Sequence, residues 1–276
     1  MRWQGRAGSG NIEDRRGMGG IGLPVGGGIG GLVLLLLFSA LTGTNPIDLI
    51  NGGGGTAPAG PVGTSGQEDD TAKQFVSVVL RDTEETWTQI FREHGQTYQP
   101  PTLVLFSDAT QSGCGVGQSA MGPFYCPNDR KVYLDLSFFQ DLARMGGPGD
   151  FAAAYVVAHE VGHHVQTLLG LSDRVAGMRQ RGGEREANAL SVRQELQADC
   201  YAGVWGHYAA TKNLLEPGDA EEGLRAAAAI GDDRLQRESQ GRVVPESFTH
   251  GTSQQRVDWL QRGLDSGRLE ACNTFQ

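Results

Sequence analysis

Four cysteines in 276 residues are few, and no two of them stand in a C-x-x-C pair. That absence excludes a zinc ribbon and a thioredoxin-type redox pair. Positive charge is also short: beyond residue 50 there are 19 basic against 29 acidic side chains, so nucleic acid and anionic lipid are poor partners. Long apolar runs are missing except for one. Residues 17–47 carry no charge, and within them Ile29-Gly-Gly-Leu-Val-Leu-Leu-Leu-Leu-Phe-Ser-Ala-Leu41 approaches the roughly 20 residues that span a bilayer. The first 66 residues otherwise hold little that could pack, being dominated by glycine, with Gly-Gly-Gly at 26–28 and Gly-Gly-Gly-Gly at 52–55.

These features predict an organisation in four parts. Residues 1–20 read as a basic cytoplasmic N-terminus and 21–42 as a transmembrane anchor, with 43–69 a Gly/Pro-rich linker and 70–276 one globular domain. Arg2, Arg6, Arg15 and Arg16 precede the apolar run and no Lys or Arg follows until Lys73, so the positive-inside rule leaves the N-terminus cytoplasmic and exports the rest. A cleaved signal peptide is the alternative, since Ser39 to Thr44 is rich in small residues. The expected location is the inner membrane of a bacterium, single-pass, with the domain periplasmic.

Export suits the cysteines. An even number in an oxidising compartment predicts disulfides, with three connectivities open. The favoured one joins Cys114 to Cys126, closing a Gly-rich loop, and Cys200 to Cys272, tying the C-terminus to a helix; buried free thiols are the other reading.

Three of the six histidines fall within His159-Glu-Val-Gly-His163-His164. Apolar residues at helical spacing, from Phe151 to Val157 and at Val165, Leu168 and Leu169, place this H-E-x-x-H on a mostly buried helix. Two imidazoles four apart share one helical face and can hold zinc, and Glu160 can take a proton from water at the metal. Burying such a trio without a metal would be costly. A third ligand is then required. Glu195 and Asp199, spaced i, i+4 in the helix-forming segment after Glu184, share a face flanked by Val192, Ala202, Gly203 and Gly206, small enough for close packing on the histidine helix.

Around these motifs, helix is expected from about 70 to 94 and over 148–169, 186–211, 219–238 and 252–265, the last capped by Thr252 or Ser253. Strands are expected at 102–107 and 131–136. This is an α+β order with a small antiparallel sheet, one edge of which could take an extended peptide.

H-E-x-x-H followed by E-x-x-x-D resembles the glutamate-zincin metallopeptidases. More closely, His159-Glu-Val-Gly-His-His164-Val-Gln166, Glu195-Leu-Gln-Ala-Asp-Cys200-Tyr-Ala-Gly203, Phe248-Thr-His-Gly251 and the Met1-Arg-Trp-Gln-Gly-Arg6 start resemble the bacterial putative neutral zinc metallopeptidase family, over most of the chain. The resemblance implies a mainly helical zincin-like domain with one Zn2+ per chain, held by His159, His163 and Glu195. It makes Glu160 the general base and Asp199 the carboxylate that orients a ligand imidazole. His250 becomes a candidate for steadying the oxyanion, with Tyr201 its competitor. The implied substrate is a peptide or protein. A zinc-binding interaction module without turnover, or a zinc amidase acting on cell-wall amides, are the alternatives.

Overall fold

A computed structural model describes residues 1–17 and 65–275. Six strands and eight α-helices lie along these residues, with five of the strands between the first helix and the other seven. The strands are β1 (Ile12–Asp14), β2 (Thr102–Phe106), β3 (Ala109–Ser112), β4 (Gly115–Gln118), β5 (Phe124–Cys126) and β6 (Lys131–Asp135). The helices are α1 (Ser65–Glu93), α2 (Phe138–Arg144), α3 (Asp150–Leu168), α4 (Leu171–Arg179), α5 (Glu184–Thr211), α6 (Asp219–Ala229), α7 (Asp232–Gln240) and α8 (Ser253–Ser266).

The α+β class holds, but the sheet is mixed where an antiparallel one was expected. Its order is β1-β2-β6-β5, and only β5 runs antiparallel to its neighbour. Parallel neighbours need a long connection, and α1 supplies one between β1 and β2. Alternation then decides what each face meets. Leu103, Leu105, Val132 and Leu134 turn into the main core with the helices, whereas Val104, Phe106 and Tyr133 form a second apolar cluster with Cys126. A separate hairpin, β3 with β4, rises from this side.

Residues 1–17 correct the expected domain boundaries. They do not stand apart: β1 extends the sheet beside β2, Trp3 packs edge-on against Phe75 at 5.4 Å, and Met1 is buried. Their arginines, read from sequence as a topological signal, make local ion pairs, Arg6 with the buried Asp82 at 3.3 Å and Arg15 with Glu13 at 2.8 Å. Ser9 and Asn11 both donate to the buried Glu84. This segment and the remainder from Asp69 form one compact unit. The apolar segment 21–42 and most of the expected linker lie outside the described residues, and α1 already begins at Ser65. Among the described residues no helix is long and apolar enough to cross a membrane.

Helix α3 is buried along almost its whole length, its apolar first half in the core and its buried polar residues in the second half. Gly170, in the left-handed region at φ 71°, separates it from α4. Where α3 crosses α5, a Cβ on Gly162 would lie 2.9 Å from the Ala198 carbonyl oxygen. The other small residues of α5 serve a different neighbour. A Cβ on Gly203 would fall 2.2 Å from the Leu260 carbonyl oxygen, and Gly263 approaches Cys200 as closely, so α5 and α8 touch backbone to backbone. The expected helix 219–238 is two helices, α6 and α7, broken at Ile230-Gly231 where Ser253 leaves no room for a side chain.

All four cysteines are paired in the favoured way, Cys114 with Cys126 and Cys200 with Cys272. Their sequence separations of 12 and 72 residues set how much each restricts the unfolded chain. Loop entropy gives about 3 kcal/mol for the shorter and about 4 kcal/mol for the longer closure. Chemical denaturation should therefore show the Cys200→Ser/Cys272→Ser protein losing more stability than Cys114→Ser/Cys126→Ser. The reverse order would mean that native packing around the two bridges, rather than loop length, sets their worth.

Candidate metal centre

The crossing of α3 and α5 brings three donors to one point. His159 Nε2 lies 3.1 Å from one carboxylate oxygen of Glu195, and His163 Nε2 lies 3.4 Å from the other. Donor atoms of His159, His163 and Glu195 all fall within 4.8 Å of one another. A tetrahedral ion with bonds of about 2.0 to 2.1 Å needs its ligand atoms roughly 3.3 Å apart, so this donor set fits zinc. The two rings stand nearly perpendicular, at 89°, with centroids 4.8 Å apart.

Each imidazole is also held from behind. His159 directs Nδ1 at Asp199 Oδ1, 2.8 Å away, and His163 directs Nδ1 at Gln166 Oε1, 2.9 Å away. Both Nε2 atoms are thereby left for a metal. Gln166 is itself fixed, donating to the Gln194 carbonyl and to Gln197. Its position three residues after His163 put it on the ligand face, a signal that the motif spacing already contained. Asp199 is fully buried and has three further contacts, from Tyr155 and twice from Arg256. Neither residue was singled out in the sequence, where Tyr155 looked like core and Arg256 lies 57 positions away.

The centre opens into a cleft of about 950 Å³ lined by His159, Glu160, His163, Glu195, His250 and Arg256. Phe124 and Tyr125 of β5 form another wall, which places the outer edge of the sheet beside the metal donors. Glu160 is buried, and burial raises its carboxyl above the usual range, toward the pH at which a base works best. His250 reaches the cleft from the loop before α8 and is half exposed, with Nδ1 3.2 Å from Asp232 Oδ1. Asp232 Oδ2 accepts the backbone N–H groups of Thr249, His250 and Gly251, so one carboxylate fixes both the loop and the ring.

Tyr201 and the remaining histidines are engaged elsewhere. Tyr201 is buried edge-on against Trp87, 5.6 Å away, and does not line the cleft, which removes it as a rival to His250. His164, rotated off the ligand face, donates through Nε2 to the Gln99 carbonyl and accepts from Tyr125, and burial pushes its pKa down to about 4. His207 contacts the Leu264 carbonyl and His94 contacts Ile90 and Glu270. In a second acidic group, Asp150, Asp219 and Glu222, the Met1 ammonium contacts the first two, 2.6 Å from Asp150, and Glu222 accepts the Phe151 backbone N–H.

A histidine pair on one buried helix, a carboxylate on the helix that crosses it and a glutamate beside the first histidine make up the donor set of a metal-dependent hydrolase centre. The chain belongs to the family described as putative neutral zinc metallopeptidase, whose model matches residues 1–275. It is 54% identical over 284 residues to the uncharacterized protein YpfJ of Escherichia coli (strain K12), covering 100% of this chain and 99% of that one. It is 44% identical over 216 residues to the uncharacterized protein Rv2575 of Mycobacterium tuberculosis (strain H37Rv), covering 74% of this chain and 72% of the relative. No solved structure matches the chain.

Protons and metal compete for the same nitrogens. Burial opposes charge on His159, but Asp199 and Glu195 outweigh it and lift the imidazole from 6.5 to about 10 in the metal-free protein. His163 shifts in the same direction, its burial outweighed by Glu195. In the metal-free fold this pairing stabilises fully below the ordinary histidine value and is lost as pH rises through the raised one. Metal binding must expel those protons, so zinc affinity should rise with pH, by about tenfold per unit for each proton released. Competition titration against a chromophoric chelator between about pH 6.5 and 9 measures it. A pH-independent affinity would show that the imidazoles are already unprotonated.

Proposed function

We propose that this chain is a zinc-dependent peptidase that cleaves peptide bonds in extended protein segments, with one Zn2+ per chain held by His159, His163 and Glu195. The observation that carries the reading is the convergence of those three donors, within 4.8 Å of one another, in a cleft that also holds a buried glutamate and a strand at the edge of the sheet. Zinc, when bound, supplies Lewis acidity toward a carbonyl and activates water. The remaining work falls to the chain. Glu160 accepts the proton of the attacking water and returns it to the leaving nitrogen, a role its raised carboxyl suits. The half-exposed ring of His250, held through Nδ1 by Asp232, donates to the developing oxyanion. The edge of β5 pairs with the substrate main chain, giving affinity with little demand on side-chain identity. Acidic charge over the domain steers it away from nucleic acid.

We place the domain and residues 1–17 together outside the cytoplasm, because both disulfides require an oxidising compartment. The uncharged segment 21–42 attaches the protein to the membrane. Alkylating thiols in acid-quenched cells tests the compartment. Fully blocked cysteines are expected, and free thiols in the fresh lysate would refute export.

Glu160→Gln should keep zinc and fold while losing at least about 100-fold in cleavage, because the amide cannot take the water's proton. His163→Ala and Glu195→Ala should lose the metal itself. Zinc content, thermal unfolding and turnover of unfolded protein, with cell-wall material as the alternative substrate, separate these effects. If Glu160→Gln cleaves at the wild-type rate, or both ligand variants retain full zinc, the assignment fails. Turnover of cell-wall material alone would make the enzyme an amidase.

A further inference from the structure

A guanidinium lies buried at the floor of the cleft, in a site whose chemistry makes no direct use of it. Arg256 sits in the first turn of α8, after the Thr252–Gln255 capping box, and is 3% exposed. Its nitrogens are all committed. Nε donates to Asp199 Oδ2 at 2.9 Å, Nη2 to Asp199 Oδ1 at 2.9 Å and to the Tyr155 hydroxyl at 3.1 Å, and Nη1 to the Ile230 carbonyl at 3.4 Å. The Tyr155 hydroxyl in turn donates to Asp199 Oδ1 at 2.6 Å, the same oxygen that faces His159 Nδ1 at 2.8 Å.

A carboxylate's terminal torsion is broad, so Asp199 by itself would not keep one oxygen aimed at the imidazole. A two-pronged Arg contact fixes the carboxylate plane, because both N–H···O bonds hold only in one orientation. Charge points the same way. Three carboxylates, of Glu160, Glu195 and Asp199, cluster within or behind the cleft, and one dication together with Arg256 balances them in a region poorly served by water.

We propose that Arg256 is a positioning residue for the metal site: it locks Asp199 in the orientation that keeps the Nδ1–H of His159 engaged and its Nε2 free for zinc. This rests on the reading of His159 as a ligand. Arg256 touches neither metal nor substrate in this role and acts only through Asp199. The guanidinium fork is essential, and a lysine, which keeps the charge as a single point, does not replace it.

A thermodynamic cycle tests the route of action. Zinc affinity of the full chain is measured by chelator competition for Arg256→Met, Arg256→Lys, Asp199→Asn and the double variant Asp199→Asn/Arg256→Met, alongside unfolding of each metal-free protein. Each single variant should bind zinc about 10 to 100-fold more weakly, the usual cost of losing a group behind a ligand histidine. Residues acting through one another are not additive, so the double variant should lie within about threefold of Asp199→Asn alone. If Arg256→Met fails to fold with Asp199 left buried without the guanidinium's charge, the double variant, which removes both charges, still permits the decisive comparison with Asp199→Asn. Wild-type affinity in Arg256→Met or Arg256→Lys, or a double variant weaker by the product of the single losses, would overturn the proposal. His163→Ala is the control: zinc retained there sinks the site itself, whereas zinc lost there with Arg256→Met unaffected sinks only the role of Arg256.

Discussion

The crossing of α3 and α5 at Gly162 and Ala198 leaves no room for even a methyl group between the two backbones. That closeness sets the metal site. His159 and His163 flank Gly162 on α3, and Glu195 and Asp199 flank Ala198 on α5, so the same contact that closes the helices brings two imidazoles onto two carboxylates. Interaxial distance between helices follows the side chains at the crossing, and a larger residue at position 162 would separate donors that now stand 3.1 and 3.4 Å apart. The packing constraint and the chemical constraint therefore fall on one residue.

Such a site is costly to bury, and the surrounding structure shows how the cost is offset. Every polar group behind the donors has a partner: Asp199 has Tyr155 and Arg256, Gln166 has the Gln194 carbonyl and Gln197, and Gln197 reaches the Cys272 carbonyl. Half-satisfied networks of this kind destabilise a core more than an apolar filling would. The last of these links is backed by the Cys200–Cys272 bridge, one residue from Asp199, so the C-terminal segment and the metal site share a support.

The parts of the fold and site most legible in the sequence are those whose signals are local. Periodicity and caps located α3, α5 and α8 to within a few residues, and four-residue spacing paired His159 with His163 and Glu195 with Asp199. Long-range relations were not legible. Nothing in Ile12-Glu13-Asp14 marks a strand, because three residues carry too little pattern, and its pairing with β2 depends on groups far along the chain. The arginines near the N-terminus also enter ion pairs, and the pairing of Arg6 with Asp82, far along the chain, left no trace in the sequence. Gly203 and Gly206 announced a close helix contact without saying with which helix; Gly203 meets Gly263 and Leu260 of α8, and Gly206 meets Leu264 and Phe151. The apparent helix over 219–238 fails for the same reason, since the break at Gly231 comes from Ser253 pressing on it.

That break has a functional reading of its own. Starting a new helix at Asp232 frees the carboxylate at its first position to accept three backbone N–H groups from the loop carrying His250, while Asp233 accepts from Ser253 at the start of α8. Helix α8 then contributes Arg256 one turn further on, at the floor of the same cleft. Its register is fixed against α5 by Gly203 and Gly263, which admit no sliding because any side chain would strike backbone. The loop carrying His250, held by Asp232 of α7, and Arg256, carried by α8, thus meet at one cleft, and α8 is tied to α7 through Asp233 and Ser253.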